Sequence, residues 1–222
     1  TMLLRAGLEI GVASSKTFVN SLIALYLLAI DIGTRRGTLE PSRNRELVAE
    51  LARLPELLGQ ALADESQYKA LAPIFGRRSD FLFLGRGINF PLAMEGALKL
   101  KELSYIHAEG YPAAEMKHGP ISLIDDDMPV VALMPRDDLY EKMLSNINEV
   151  KARGGTVIAV ATEGYTDIED SADEVIYIPE ASSMVSPVLM AVPMQLLAYH
   201  IALWRGCDVD QPRNLAKSVT VE

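Results

Sequence analysis

Lys99 and Glu102 stand three residues apart, and His118 follows in the same 26-residue stretch, 95–120, EGALKLKELSYIHAEGYPAAEMKHGP. An amine, a carboxylate and an imidazole are the groups that acid–base chemistry at carbon uses, because each can hold or release a proton near its working pH once its surroundings tune it. On a helix, i and i+3 share a face, so Lys99 and Glu102 can meet. The same spacing also describes a solvated surface pair, worth only about 0.2–0.5 kcal/mol.

The elements that must position these side chains are readable around them. Ala93, Gly96, Ala97, Leu100 and Leu103 recur at i, i+3, i+4, i+7 and i+10, one apolar face of a helix. A connection rich in Gly, Pro and Ala leads on to Lys117-His118-Gly119-Pro120. Four apolar runs punctuate the chain from residue 80 onward: 81–84 (FLFL), 128–134 (MPVVALM), 156–161 (TVIAVA) and 174–178 (EVIYI). Between and after them come helical patterns at the central stretch, at 139–153 and at 187–204. Strands apolar throughout, alternating with helices, predict an α/β fold with a parallel sheet flanked by helices on both faces. Ligands in such sheets bind beyond the carboxyl ends of the strands. Gly85-Arg86-Gly87 and the start of the central helix sit at such an end.

Upstream, Glu9 to Lys16 reads EIGVASSK. Ser14 or Ser15 is expected to cap a helix running to about Thr34, which is apolar on most sides and therefore expected to be buried. Its first turn would offer free N–H groups to an oxygen-rich ligand. Residues 35–45 (RRGTLEPSRNR) read as a linker, with helices expected over 46–63 and 67–75. The last fifteen residues, DVDQPRNLAKSVTVE, read as an extended tail carrying Arg213 and Lys217.

Composition narrows the partners. The net charge of −9 and pI of about 4.9 repel polyphosphate at long range, so no nucleic-acid partner is expected. A run of about nine apolar residues, 22–30, is half a membrane span, so no membrane partner is expected either. The chain has one cysteine, Cys207, which excludes an internal disulfide and a multi-cysteine metal site. It fits a reducing, cytoplasmic setting and reads as structural. The opening Thr-Met-Leu-Leu falls in mid-pattern, and a fragment of a longer protein is expected.

Other signals are bland. Gly85-Arg86-Gly87 lacks the third glycine of a dinucleotide fingerprint, since position 90 is Phe. Close strand–helix packing accounts for it, and no cofactor is expected. His200 lies in an apolar helix and reads as a core residue. His107 could be structural or functional. Asp125-Asp126-Asp127 reads as a solvated turn, and no His, Cys, Asp or Glu spacing suggests a metal.

FLGRG with the central stretch, the DVDQPRNLAKSVTVE ending and EIGVASSK together resemble the isomerase half of the glucosamine-6-phosphate synthase family, over essentially the whole chain. The resemblance implies two sugar isomerase (SIS) domains, each of flavodoxin-like, doubly wound form. Residues 1–40 would end the first, 41–79 would be a helical connection, and 80–222 would be the second domain with its C-terminal active-site tail. It implies a Schiff base between Lys217 and open-chain fructose 6-phosphate, proton transfer between C1 and C2 by Glu102, and assistance from Lys99. His118 would open the sugar ring from the neighbouring subunit of a homodimer. Val12, Ser14 and Ala216 would contact the sugar. A glutaminase domain of the same full-length chain would supply ammonia. The family's phosphate-binding Ser/Thr loops are not in this sequence, so little synthesis by the fragment alone is expected. The rival readings are a related SIS deaminase or isomerase working without glutamine, and a non-catalytic sugar-phosphate-binding module.

Overall fold

The computed structural model describes residues 1–218. Five strands form one all-parallel sheet: β1 (Asp80–Gly85), β2 (His107–Pro112), β3 (Val130–Met134), β4 (Val157–Thr162) and β5 (Glu174–Ile178), in the order β2-β1-β3-β4-β5. This is the flavodoxin-like doubly wound order, whose switch point lies between β1 and β3. Among the described residues six α-helices surround it: α1 (Lys16–Arg35), α2 (Pro41–Ala61), α3 (Ser66–Phe75), α4 (Asn89–Ser104), α5 (Tyr140–Lys151) and α6 (Ser186–Trp204).

The alternation of side chains along each strand divides the core in two. Phe81, Phe83, Val131, Leu133, Ile158 and Val160 face α2, α3, α4 and α6. Leu82, Leu84, Val130, Ala132 and Met134 face α5 and the 3-10 segments after β2 and β4. Both faces are covered, which is why β3 and β4 are buried at every position and apolar at all but Thr162.

The central helix is α4, and its expected face is the buried one: Ala93, Gly96, Ala97, Leu100 and Leu103 all lie inside. Two glycines set its depth. A Cβ on Gly96 would meet Met194 Sδ at 2.5 Å and the Phe83 ring at 2.9 Å. A Cβ on Gly110 of β2 would meet the backbone of Met94 at 2.5 Å. Gly85 has the same function at the end of β1, where a Cβ would lie 2.3 Å from Asn89 O. Close strand–helix approach therefore accounts for that glycine.

Three expectations change. Residues 107–112 form a strand and not only a connection. It is one of the two edge strands, paired parallel to β1 from Asp80↔His107 to Gly85↔Pro112, and its Gly and Pro hide it because edges tolerate residues that central strands do not. The second change concerns α1, whose one buried residue is Ile30, while Leu25, Leu27, Leu28 and Ile32 are exposed. Apolar composition required a cover, but α1 packs on α2 and α6 along one side only. By length and composition α1 and α6 could each cross a membrane, and α6 is the core helix. Third, Ser15 is the N-cap residue of α1 yet makes no side-chain cap bond.

Candidate active site

The cap of α1 comes from further back. Glu9 Oε1 accepts from the N–H groups of Ser15 at 2.8 Å and Lys16 at 2.9 Å, and Glu9 Oε2 accepts from the Thr17 hydroxyl at 2.7 Å. A carboxylate there satisfies the orphan donors and meets the positive end of the helix dipole. Burial pushes the Glu9 pKa upward, but the hydrogen bonds from Thr17, Ser15 and Lys16 outweigh it and hold the group at about 2. This cap folds the EIGVASSK loop back over the start of α1.

That loop forms one wall of a cavity of about 420 Å³. Glu9, Gly11, Ala13, Ser15 and Lys16 line it from the loop, Lys99 and Leu103 from α4, Gln195 and Tyr199 from α6, and Val209 and Asp210 from the tail. The tail is tied to the loop at two points. The Val12 N–H donates to Asp210 O at 2.9 Å, and the Lys217 ammonium donates to the Glu9 carbonyl. The tail is also tied to α4. The Arg213 N–H donates to the Tyr105 hydroxyl at 2.8 Å, just past the end of α4. The extended tail that the sequence predicts is thus held against the loop and the end of α4 at Asp210, Arg213 and Lys217. The rest of that tail, 219–222, lies outside the described residues.

The Lys99–Glu102 pair forms, and it is not a solvated one. Only 4% of the Lys99 side chain is exposed. Its ammonium lies 2.6 Å from Glu102 Oε2 and 3.4 Å from Glu95 Oε1. Removal of a lysine from water is costly unless carboxylates compensate it, and here two do. They differ in exposure, at 22% for Glu102 and 13% for Glu95. Burial raises the Glu95 pKa, with Lys99 pulling it back and Glu102 adding to the rise. Glu95 Oε1 has no aligned hydrogen bond. The site thus holds one amine between a well-bonded carboxylate and a less exposed one whose pKa burial raises above its ordinary value. Carboxylates in different surroundings can divide acid and base roles between them.

Of the sequence-predicted site residues only Lys99 lines the cavity itself. Glu102 reaches it through Lys99, and Lys217 through its bond to Glu9. Val12 and Ser14 belong to the wall loop without lining the cavity, and Ala216 precedes Lys217 on the exposed tail. His118 is elsewhere. It ends the 3-10 segment Ala113–His118, whose Ala113 and Met116 pack in the core on the α5 side of the sheet, opposite α4. Its ring is 72% exposed and its nearest carboxylate is Glu115 at 3.9 Å. Within one chain, then, Lys99, Glu102, the loop and the tail converge and His118 does not. Sequence reasoning missed Glu9 and Glu95 as members of the site. The i, i+4 spacing of Glu95 from Lys99 was a usable signal, whereas a cap supplied from six residues upstream follows no local rule.

The other histidines are structural. His107 Nδ1 is 2.9 Å from Asp80 on the exposed edge strand. His200 is buried against Tyr68, with Nε2 at 3.3 Å from Glu65. Asp125 Oδ1 accepts from the N–H groups of Asp127 and Met128, which makes that triplet a turn. Cys207 is half-buried, with Sγ at 3.9 Å from Ser104 O. Among the described residues no three His, Cys, Asp or Glu side chains are grouped to hold a metal.

Comparison with known proteins now adds to this geometry. The SIS domain family model matches residues 76–205. The glutamine–fructose-6-phosphate aminotransferase (isomerizing) of Pseudomonas putida is 52% identical over 222 residues, all of this chain and 36% of that protein. The protein of that name from Thermus thermophilus is 55% identical over 219 residues, 99% of this chain and again 36% of that protein. The chain therefore spans about a third of the length of these relatives. Among solved structures, the C-terminal domain of glucosamine-fructose-6-phosphate aminotransferase from Francisella tularensis superposes with a TM-score of 0.89 at 41% identity, covering 94% of this chain and 59% of that one.

Proposed function

The chain belongs to the SIS domain family, and from that premise we propose that it forms the isomerase part of an enzyme making glucosamine 6-phosphate from fructose 6-phosphate and glutamine-derived ammonia. The observation that supports this reading is the convergence on one cavity of the capped EIGVASSK loop, of Lys99, itself paired with two carboxylates, and of the tail at Val209 and Asp210, with Lys217 bonded to the Glu9 carbonyl of the same loop. Relatives bearing the aminotransferase name support it along the whole chain.

In this reading the Lys217 amine condenses with the carbonyl of the open-chain sugar. An iminium carbon draws electrons more strongly than a carbonyl, so the adjacent C–H becomes acidic. Ammonia then displaces the lysine amine from the iminium carbon, which frees Lys217 and leaves an imine at C2. Glu102 takes the proton at C1 and returns it at C2, so the new amine stays at C2 and the carbonyl ends at C1. Lys99 holds the Glu102 carboxylate in place by a 2.6 Å charge-assisted bond. Val12, Ser14 and Ala216 contact the sugar. His118 opens the sugar ring in the site of the neighbouring subunit of a homodimer. The partners are thus a sugar phosphate, a glutaminase domain in the same full-length protein and a second subunit, in the cytoplasm.

Borohydride reduction in the presence of fructose 6-phosphate tests the central step in the full-length enzyme. The expected product is a stable sugar adduct on the peptide containing Lys217, absent from the Lys217→Arg variant. Product formation with glutamine, without any trapped adduct on Lys217, would sink the assignment. An enzyme that turns over equally well without glutamine or ammonia would favour a plain SIS isomerase.

A further inference from the structure

A second cleft, of about 660 Å³, shares no lining residue with the Lys99 cavity and is lined by Gly76, Arg77, Tyr105, Trp204, Arg205, Cys207 and Arg213. We propose that it binds a phosphate-bearing small molecule, at a site separate from the Lys99 cavity.

Three guanidinium groups converge on this cleft, and among the described residues no carboxylate lines it. Among the described residues, none of the three forms an ion pair, although the chain carries a net charge of −9. Cations left unpaired in so acidic a protein mark a local reversal of the field, where an anion is attracted.

The groups are held and not merely nearby. The Arg213 guanidinium stacks over the Tyr105 ring at 4.2 Å, and the Arg77 guanidinium stands over the Trp204 ring at 5.8 Å. A guanidinium laid on an aromatic face keeps its N–H edge free in the plane, pre-organised for two phosphate oxygens. Arg205 Nη1 donates to Gly76 O at 2.7 Å, which fixes one end of its fork and leaves other donors available. The backbone supports this arrangement. Gly76 lets the Trp204 ring approach the end of α3 closely, since a Cβ there would sit 2.6 Å from the ring. Tyr105 adopts a left-handed φ of 61°, which closes α4 and turns its ring toward the tail. The volume lies in the range of small-molecule sites, about 300–1,000 Å³.

Trp204 is the chain's one tryptophan, so occupancy has a built-in reporter. Titration with inorganic pyrophosphate at constant ionic strength is expected to change Trp204 emission saturably. Arg213→Gln and Arg77→Gln remove one fork each from exposed positions. Each is expected to weaken binding about tenfold or more, the loss of one charge-assisted bidentate contact. Arg213→Lys, which keeps the charge and loses the fork, is expected to fall between. Lys217→Ala is expected to bind as the parent does. Far-UV circular dichroism of each variant verifies the fold. A flat titration of the parent, equal binding by the arginine variants, or loss of binding in Lys217→Ala would overturn the assignment. So would capture of a polyglutamate peptide in place of pyrophosphate, which would make the cleft a docking point for an acidic protein segment.

Discussion

Glu9 stands six residues before Ser15, yet it supplies the cap of α1. Its folded pKa of about 2 lies below the ordinary 4.5. Folding therefore favours its ionised form, and this contribution is complete above about pH 4.5 and fades as pH falls toward 2. The group is partly solvated, so screening reduces the full linkage value to the usual worth of a cap, about 1 kcal/mol. Glu9→Gln is expected to lower stability by about that amount at pH 7 and to flatten the loss between pH 4.5 and 2. Urea unfolding followed across that window checks both, and a parallel pH profile in parent and variant would refute the role. The same residue shows what was legible at this scale. The Lys99–Glu102 pair followed from i, i+3 spacing alone, but its burial did not. The cover comes from Gln195 and Tyr199 on α6 and from the tail, about a hundred residues away. Local pattern reports which side chains share a face and is silent on what closes over it.

Elements were legible where their periodicity was clean. The runs that became β3 and β4 are buried at every position, and the run at 174–178 became β5. The edge strand β2 escaped because His107, Gly110 and Pro112 are weak strand formers, and its position is set by what it packs against. Gly110 decides that packing. A Cβ there would press on the α4 backbone at Met94 and Ala93, which cannot yield as a side-chain tip can. Gly110→Ala is expected to cost about 1–3 kcal/mol, the usual penalty of overpacking. It should also loosen β2 selectively, because an edge strand has a neighbour on one side only. Hydrogen exchange is the suitable measurement: amides of 107–112 should lose protection before those of β3 and β4. Uniform loss, or none, would mean the approach of β2 to α4 is not what fixes the edge. The helix α1 failed in the opposite direction. Its apolar composition was read correctly and its burial was not, since composition states that a face needs covering without supplying the cover.

At the scale of the molecule, the doubly wound order separates the candidate residues by sheet face. Lys99 and Glu102 stand on the α4 side, and the segment ending in His118 packs on the α5 side. The sheet separates those two cores, and His118 is not among the residues lining the Lys99 cavity of its own chain. Its exposed ring at the surface suits delivery to a second subunit, which is the role the resemblance implied. Subunit mixing follows from this separation. Full-length Glu102→Gln and His118→Ala proteins should each be nearly inactive alone, because each spoils every site in its own homodimer. In a mixed dimer, one site combines Glu102 of one chain with His118 of the other and is intact, while the second site carries both defects. Random reassortment makes half of the dimers mixed, each with one of two sites restored. About a quarter of parent activity should therefore return when equal amounts of the two variants are unfolded and refolded together. The readout is glucosamine 6-phosphate formation, with mass spectrometry verifying the mixed dimers. No recovery in verified heterodimers would return His118 to a role within its own chain or to none. Recovery before any exchange of subunits would mean that one of the variants was active by itself.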